Sequence, residues 1–272
     1  QLLLSQSDHF NHFWGENQLD EIMKLTHVLI LVVDFKQVVK LKSYWSKQML
    51  LAHLQDHQVK TANLNQQLRL KDEKMAGWID SFIRGVLLDF PRQLNYELQV
   101  FTDGQPLFSW VKAHDQKSGL SRMLATTDFP FRVFSKEPWY VTAGTLKLPW
   151  DRFNYLDRPW ASQPKTINEV GSIYTIQGFD LNYAGVILGP SLTYDSKIDQ
   201  VIFRPEKFED QTAFQKRQPA DLPDENAAQI KLLKNVVNIL LKRGRLGLGL
   251  FAVDPALEKR LLELAKQQGR IG

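Results

Sequence analysis

A short apolar run between two glycines restricts the fold of this chain more than any other feature. Val186, Ile187 and Leu188 follow one another between Gly185 and Gly189, with no polar residue among them. An uninterrupted run of this length is typical of a strand that is buried on both faces. Strands of that kind belong to parallel sheets covered by helices, so we expect such a sheet here.

Similar segments recur along the chain, with helical patterns between them. Segments rich in Val, Ile, Leu and Phe predict strands at 28–34, 98–103, 120–127, 184–189, 200–204 and 246–254. Helical spacing of apolar residues predicts helices in 46–57, 72–88 and 224–243, and a last helix that begins at Asp254. This alternation predicts an α/β fold with a mainly parallel sheet flanked by helices. The proline-rich stretch 129–164 is expected to be an elaborated loop region.

Composition excludes several classes of protein. The chain has no cysteine, which excludes disulfides and thiolate sites and favours a cytoplasmic location. Its apolar stretches are too short to span a bilayer, so no membrane association is expected. From Ile230 to Gly272 there are nine Lys or Arg and three Asp or Glu. A polyanionic partner and a solvated helix surface both account for that excess of positive charge.

The common catalytic signatures are missing from the sequence. It contains no G-x-S-x-G, H-E-x-x-H or G-x-x-x-x-G-K-[ST] pattern. His53 and His57 lie four residues apart on a predicted helix, but no third ligand accompanies them. A solvated helix face is the favoured interpretation, and no metal site is predicted.

Three short stretches carry residues suited to phosphate chemistry. Asp34 and Gln37 follow a predicted strand, Arg69 precedes a predicted helix, and Arg243 lies between the long helix and the last strand. Arginines stabilise charge on a transferring phosphoryl group, and a glutamine can orient water or sense the γ-phosphate. Each residue taken alone is also explained by a surface salt bridge or a helix cap.

The order of these stretches resembles a known family. Strand-Asp-x-x-Gln is followed by Gln-Leu-Arg, by "TIQGFD" before an apolar strand, and by Leu-Leu-x-Arg-Gly before the last strand. This order resembles the second half of a superfamily one helicase. It is most similar to the bacterial Schlafen group-three-like DNA/RNA helicase domain, a P-loop ATPase family. The resemblance implies a RecA-like domain preceded by the remnant of another.

The resemblance assigns residues to the nucleotide site. Asp34 and Gln37 match helicase motif III, Arg69 matches the motif IV arginine, and Arg243 matches the arginine finger of motif VI. Asp180 in motif V is expected to link the nucleic-acid contact to the nucleotide. Gln37, Arg69 and Arg243 would then be the residues that act in catalysis.

The motif V match assigns the contact with nucleic acid. Thr175, Gln177 and Gly178 are expected to touch the phosphates of single-stranded DNA or RNA, with the glycine permitting close backbone approach. One position departs from the family pattern, since Lys242 stands where a threonine is usual.

Two family segments, the phosphate loop and the acidic Walker B motif, are not found in this chain. The resemblance therefore implies a fragment, with residues 1–60 as the tail of a first RecA-like domain and 61–272 as the second. ATP and Mg²⁺ are expected in the full-length parent, and neither is expected to bind tightly to this chain alone. The 28–34 strand, separated from its natural sheet, is expected to pair elsewhere and allow self-association.

Two other functional readings remain open. One is a non-catalytic α/β module for nucleic-acid or protein interaction, with Trp139, Trp150 and Trp160 as candidates for base stacking or for core packing. The other is an NTP-driven switch in phage defence, which would use the same ATPase parts.

Overall fold

The computed structural model describes residues 15–63, 70, 72–92, 95–131, 138–151, 158–215 and 224–272. The chain separates into two compact units, which are Gln1–Gln66 with Gln211–Asn235, and Gln67–Asp210 with Val236–Gly272. The predicted domain boundaries, 1–60 and 61–272, stay a prediction. So does the identity of the first unit as the tail of a RecA-like domain.

The described elements alternate along most of the chain. The helices are α1 Gln18–Leu25, α2 Lys47–His53, α3 Glu73–Arg84, α4 Gly104–Ser118, α5 Ile173–Ile176, α6 Glu225–Leu241 and α7 Pro255–Lys266. The strands are β1 Glu97–Val100, β2 Ser121–Ala125, β3 Tyr140–Ala143, β4 Leu146–Pro149, β5 Val170–Gly171, β6 Leu181–Leu188, β7 Leu192–Asp195, β8 Gln200–Phe203 and β9 Gly244–Ala252.

A five-stranded parallel sheet forms the centre of the second unit. Its order is β1-β9-β6-β2-β5, and every neighbouring pair is parallel. All residues of β2 are buried, as are the last five residues of β6. The predicted α/β fold with a mainly parallel sheet, consistent with a RecA-like helicase domain, is therefore confirmed.

Helix α4 packs directly on two glycines of this sheet. Gly185 in β6 and Gly249 in β9 are partners in register. A Cβ atom at Gly185 would lie 2.5 Å from Val111, and one at Gly249 would lie 2.5 Å from Leu107. The absence of side chains at both positions therefore lets α4 approach the strands closely. The sequence analysis did not predict this helix, although Asp103 caps it by accepting from the Gln105 amide at 2.7 Å.

Two antiparallel hairpins stand apart from the parallel sheet. The segment 200–204, predicted as a strand, forms β8 and pairs with β7. Strands β3 and β4 form the other hairpin, inside the stretch expected to be an elaborated loop. Both stretches therefore contain more antiparallel structure than their sequence patterns indicated.

The first unit corrects the prediction of a strand at 28–34. These residues form no strand, and Val28, Ile30 and Val32 are each more than 80% exposed. Residues just after the segment are tied to α6, because the Asn235 side chain donates to the carbonyl oxygens of Phe35 at 3.0 Å and of Val38 at 2.8 Å. A β-rich composition does not make a strand where no neighbouring strand is available to pair with it.

Candidate functional site

The amino-terminal ends of β6 and β9 bring the predicted motif V and motif VI residues together. Leu181 begins β6 and pairs with Gly244, the first residue of β9. The Leu181 amide donates to the Arg243 carbonyl oxygen at 3.1 Å. Asp180 and Arg243, far apart in sequence, are therefore neighbours at the amino edge of the sheet.

The side chain of Arg243 fastens the loop that leads into β6. Its Nη1 donates to the Phe179 carbonyl oxygen at 3.1 Å and lies 3.9 Å from Asp180 Oδ1. The Arg243 side chain is 1% exposed, whereas that of Asp180 is 44% exposed. In this structure the guanidinium is a buried support for the loop, and only the carboxylate beside it faces solvent.

Gly178 forms the exposed turn of the same loop. Its φ of +88° is in the left-handed region, and a Cβ atom there would meet no atom within 4 Å. The preceding Gln177 is half-buried, and its amide donates to the Ile173 carbonyl oxygen at 3.2 Å. The backbone at Gly178 is thus both conformationally restricted to glycine and open to a ligand.

The Thr175 hydroxyl is bonded to the buried carboxylate of Asp151. Its Oγ1 lies 2.5 Å from Asp151 Oδ2, and the same oxygen accepts from the Ser172 amide at 2.9 Å and the Ser172 hydroxyl at 2.7 Å. Burial raises the pKa of Asp151 to about 6, although hydrogen bonds from Thr175 and Ser172 oppose the shift. Sequence reasoning missed Asp151, because no local pattern links it to residues more than twenty positions away.

The other predicted nucleotide-site residues are not all described. Arg69 lies outside the described residues. Asp34 and Gln37 lie in the first unit, where the Gln37 side-chain amide donates to Asp34 Oδ2 at 2.9 Å and the Lys36 amide donates to Oδ1 at 2.9 Å. They close a turn, and the strand whose end they were expected to mark does not form there.

The family follows from comparison with known proteins. Residues 1–254 match the family described as Schlafen group 3, DNA/RNA helicase domain. The chain belongs to this family. It is 36% identical to the uncharacterized protein YPL245W of Saccharomyces cerevisiae over 291 residues, covering 98% of this chain and 63% of the yeast protein. The resemblance in the sequence was to bacterial members, whereas this relative is from yeast. No solved structure matches.

The chain thus spans less than two thirds of the length of its yeast relative. Within the part of the chain that the structure describes, no helix is long and apolar enough to cross a membrane.

Lys242, which stands where the resemblance leads us to expect a threonine, has a structural partner in this Schlafen group 3 domain. Its Nζ donates to Asp80 Oδ1 at 2.6 Å, and the lysine is buried. Asp80 belongs to α3, so the ion pair fastens the end of α6 to α3 beside Arg243. Lys242 therefore makes a charged contact within this unit.

The residues present in this Schlafen group 3 domain do not fit a complete ATP·Mg²⁺ site. The sequence has no phosphate loop, and the described residues contain no group of three or more acidic or histidine side chains that could hold a metal. His53 was considered with His57 as a pair of metal ligands. Its Nδ1 atom lies 3.0 Å from Asp20 Oδ1. No catalytic step through ATP can be derived from this chain alone.

Two of the tryptophans considered for base stacking lie in the core. Trp150 and Trp160 are both buried, and the Trp160 indole donates to Glu169 Oε2 at 2.8 Å. Trp139 packs against the same core from a partly buried position. Stacking of bases on Trp150 or Trp160 is therefore excluded by their burial, and core packing is their role.

Proposed function

We propose that this chain is part of an ATP-dependent helicase or translocase that acts on single-stranded DNA or RNA. In this proposal Thr175, Gln177 and Gly178 contact the strand. Membership of the DNA/RNA helicase domain family supports a nucleic-acid partner. The link between strand contact and nucleotide is supported by the junction at the amino edge of the sheet, where the loop before β6 is bonded to Arg243.

That junction suggests how strand contact and nucleotide would be coupled. A phosphate approaching the exposed backbone at Gly178 would meet the loop one residue before Phe179, whose carbonyl oxygen holds the Arg243 guanidinium. Movement of the loop would therefore reach the Arg243 guanidinium through this hydrogen bond. For Arg243 to act as an arginine finger, its buried guanidinium must exchange this carbonyl for a phosphate oxygen.

The nucleotide half of the proposal concerns a longer protein. Gln37, Arg69 and Arg243 would face ATP, with Asp34 and Asp180 beside them, and the phosphate loop and the Mg²⁺ ligands would be supplied by segments outside this sequence. The chain alone is then expected to show neither tight ATP binding nor ATP hydrolysis. Hydrolysis by the purified chain that falls on Arg243→Ala would contradict this division of the site.

A substitution at Gly178 tests the strand contact. Gly178→Ala places a Cβ atom over the exposed backbone and strains a positive φ, so the affinity for a labelled single strand should fall about tenfold, equivalent to one lost charge-assisted hydrogen bond. Fluorescence anisotropy over a salt titration measures both the affinity and the number of phosphate contacts.

Gly269→Ala is the matched control for that experiment. Gly269 also has a positive φ, of +62°, and open space around its missing Cβ, but lies after α7. Its substitution should cost similar stability and leave strand affinity unchanged. Equal affinities for the two variants would contradict the proposed contact at Gly178.

A non-catalytic binding module is the second candidate function. This candidate is favoured by the burial of the Arg243 side chain, which is 1% exposed. In this structure the side chain supports the loop through the Phe179 carbonyl oxygen. Under this reading Arg243→Ala in the longer protein would weaken strand binding, and the longer protein would show no ATPase activity that depends on Arg243. An NTP-driven switch would instead hydrolyse ATP in an Arg243-dependent way and displace no strand.

Self-association through 28–34 is part of the same proposal. The exposed apolar side chains of Val28, Ile30 and Val32 lie on a segment that pairs with no strand of this chain, and such a segment can pair with a strand of another chain. Sedimentation of the purified chain should then show concentration-dependent dimers. A monomer at all concentrations would remove this partner from the proposal.

A further inference from the structure

A single buried carboxylate fixes the start of the loop that is proposed to touch nucleic acid. Asp151 Oδ2 accepts three hydrogen bonds, from the Ser172 amide, the Ser172 hydroxyl and the Thr175 hydroxyl. Asp151 is 5% exposed, and its own amide donates to the Val170 carbonyl oxygen at 2.7 Å. We call Asp151, Ser172 and Thr175 the Asp151 clasp.

The clasp matters because the helix that it holds is very short. Helix α5 has four residues, and a helix of one turn has no stability of its own in water. Its first turn has a local capping box formed by Ser172 and Thr175. Asp151, which follows β4 and belongs to a different part of the chain, holds both members of that box. A second fastening is made by the Tyr174 hydroxyl, which donates to Asp210. The placement of α5 is therefore imposed by tertiary contacts.

Displacement of α5 would pass directly to the exposed turn. Only Gln177 separates the last residue of α5 from Gly178, so a rotation of α5 would reach the turn within two residues. Loss of the contact at Thr175 would thus move the backbone that faces a ligand.

The clasp also determines what the Thr175 hydroxyl can do. A hydroxyl has one proton, and the 2.5 Å contact with Asp151 Oδ2 directs that proton to the carboxylate. Phosphate oxygens at neutral pH are acceptors, so the Thr175 hydroxyl cannot donate to a phosphate while the clasp is closed. The part of Thr175 in the proposed strand contact is then to hold the loop in position. The amides of Thr175, Ile176, Gln177 and Phe179 already donate to backbone carbonyl oxygens. The Gly178 amide at the exposed turn is then the donor that a phosphate could use, and the clasp influences its position through α5.

We infer that Asp151 is a positioning residue for the single-strand contact, acting through Ser172 and Thr175 on the loop that ends at Gly178. This inference rests on the proposed function, in which that loop binds the strand. It adds a residue outside the motif V segment, contributed by the chain that follows the β3/β4 hairpin.

The same unit contains a natural control for this inference. Asp128 Oδ2 accepts from the Thr126 hydroxyl at 2.9 Å, the Ser191 amide at 3.0 Å and the Ser191 hydroxyl at 2.7 Å. It is 6% exposed, nearly the same as Asp151. The two carboxylates thus have matching donors and burial, but Asp128 joins the ends of β2 and β6 and bonds to no residue of the loop.

The experiment compares Asp151→Asn with Asp128→Asn in the purified chain. Each change keeps the shape of the side chain and removes its charge. Asp151→Asn should weaken binding of a labelled single-stranded oligonucleotide about tenfold or more, because misplacement of a contact by about 1 Å has large effects. Asp128→Asn should change the affinity of the folded fraction less than about twofold.

A double substitution and a salt titration separate positioning from general loss of structure. Thr175→Val alone should weaken binding, and Asp151→Asn added to it should cause little further loss, because both remove the same contact. The salt dependence should become shallower by about one phosphate contact in Asp151→Asn and stay unchanged in Asp128→Asn. Equal effects of the two Asn variants on affinity would overturn the inference.

Hydrogen exchange without nucleic acid makes the result independent of the proposed function. Amides of residues 172–178 should exchange faster in Asp151→Asn than in the unaltered chain, and unchanged exchange there in Asp128→Asn is expected. Unaltered exchange in Asp151→Asn would overturn the positioning role directly. Failure of the unaltered chain to bind any single strand, with the exchange difference present, would instead overturn the strand contact and leave Asp151 as the residue that orders α5.

Discussion

The two ends of the parallel sheet differ in how they are closed. At the carboxyl ends of β2 and β6, the Asp128 carboxylate satisfies Thr126 and Ser191 in a buried network. At the amino ends of β6 and β9, the loop turns at Gly178 with open space beside it. Open α/β sheets usually bind ligands at their carboxyl ends. Here the accessible backbone is at the opposite end, which suits a domain that completes a site built with another part of a longer protein.

The largest effect is expected when a glycine at each end of the sheet is replaced by alanine. A Cβ atom at Gly189 would lie 2.3 Å from Asp128 Oδ2, so Gly189→Ala must displace the buried carboxylate. We expect it to lower the free energy of unfolding by about 3 kcal/mol, measured by urea denaturation. Gly178→Ala strains only the backbone and should lower it by about 1 kcal/mol. Equal losses would show that the two ends are closed to the same degree.

The pH dependence of stability sharpens the comparison of the two buried carboxylates. Burial raises the pKa of both Asp128 and Asp151 from 3.8 to about 6, with Arg204 near Asp128 lowering its pKa and Glu169 near Asp151 raising its pKa. A carboxyl with a raised pKa binds its proton more tightly in the folded state. Its stabilising effect is therefore complete below the ordinary pKa and is lost as pH rises through about 6.

Unfolding at a series of pH values measures that loss. Between about pH 4 and about pH 7, each carboxyl should remove on the order of 2 kcal/mol of unfolding free energy from the unaltered chain, relative to its Asn variant. Asn does not titrate, so the curves of the variants should be flatter. Parallel curves for the unaltered chain and both variants would contradict the raised pKa values.

The smallest expected effect is at the ion pair beside Arg243. Lys242→Ala removes the contact with Asp80 and should lower the unfolding free energy by about 1 kcal/mol, because Asp80 is partly exposed and can be solvated. A double-mutant cycle with Asp80→Ala measures the pair itself. Strand affinity should stay within about twofold, since the pair holds α3 and α6 and does not contact the loop. A large loss of affinity for the strand would show that this ion pair also takes part in strand binding.

The sequence predicted the sheet better than it predicted the site. Residues 184–189 are buried, as are residues 247–252 within the predicted strand 246–254, and such burial leaves a direct signal in the sequence. The same signal misled at 28–34, because strand formation also needs a neighbouring strand, which composition does not report. Helix α4 was missed because Asp103 and Pro106 mark its beginning only weakly against the surrounding polar residues.

The site was only partly predictable for a related reason. Gly178 and Arg243 are visible as parts of ordered motifs, and the structure places their segments side by side. The burial of the Arg243 side chain and the hydrogen bonds of Asp151 depend on long-range packing. Such contacts join residues whose separation in sequence follows no fixed spacing, so a single sequence contains no pattern from which to read them.

The position of Asp151 after β4 has a consequence for engineering this domain. The β3/β4 hairpin lies outside the parallel sheet, and residue 151 is attached to it by one intervening tryptophan, Trp150. Redesign of the hairpin, or an antibody fragment raised against it, would act on the loop that is proposed to bind the strand through a single carboxylate, that of Asp151. Under the proposed strand contact, changes in the hairpin would alter the affinity for a single strand without any substitution in the loop itself.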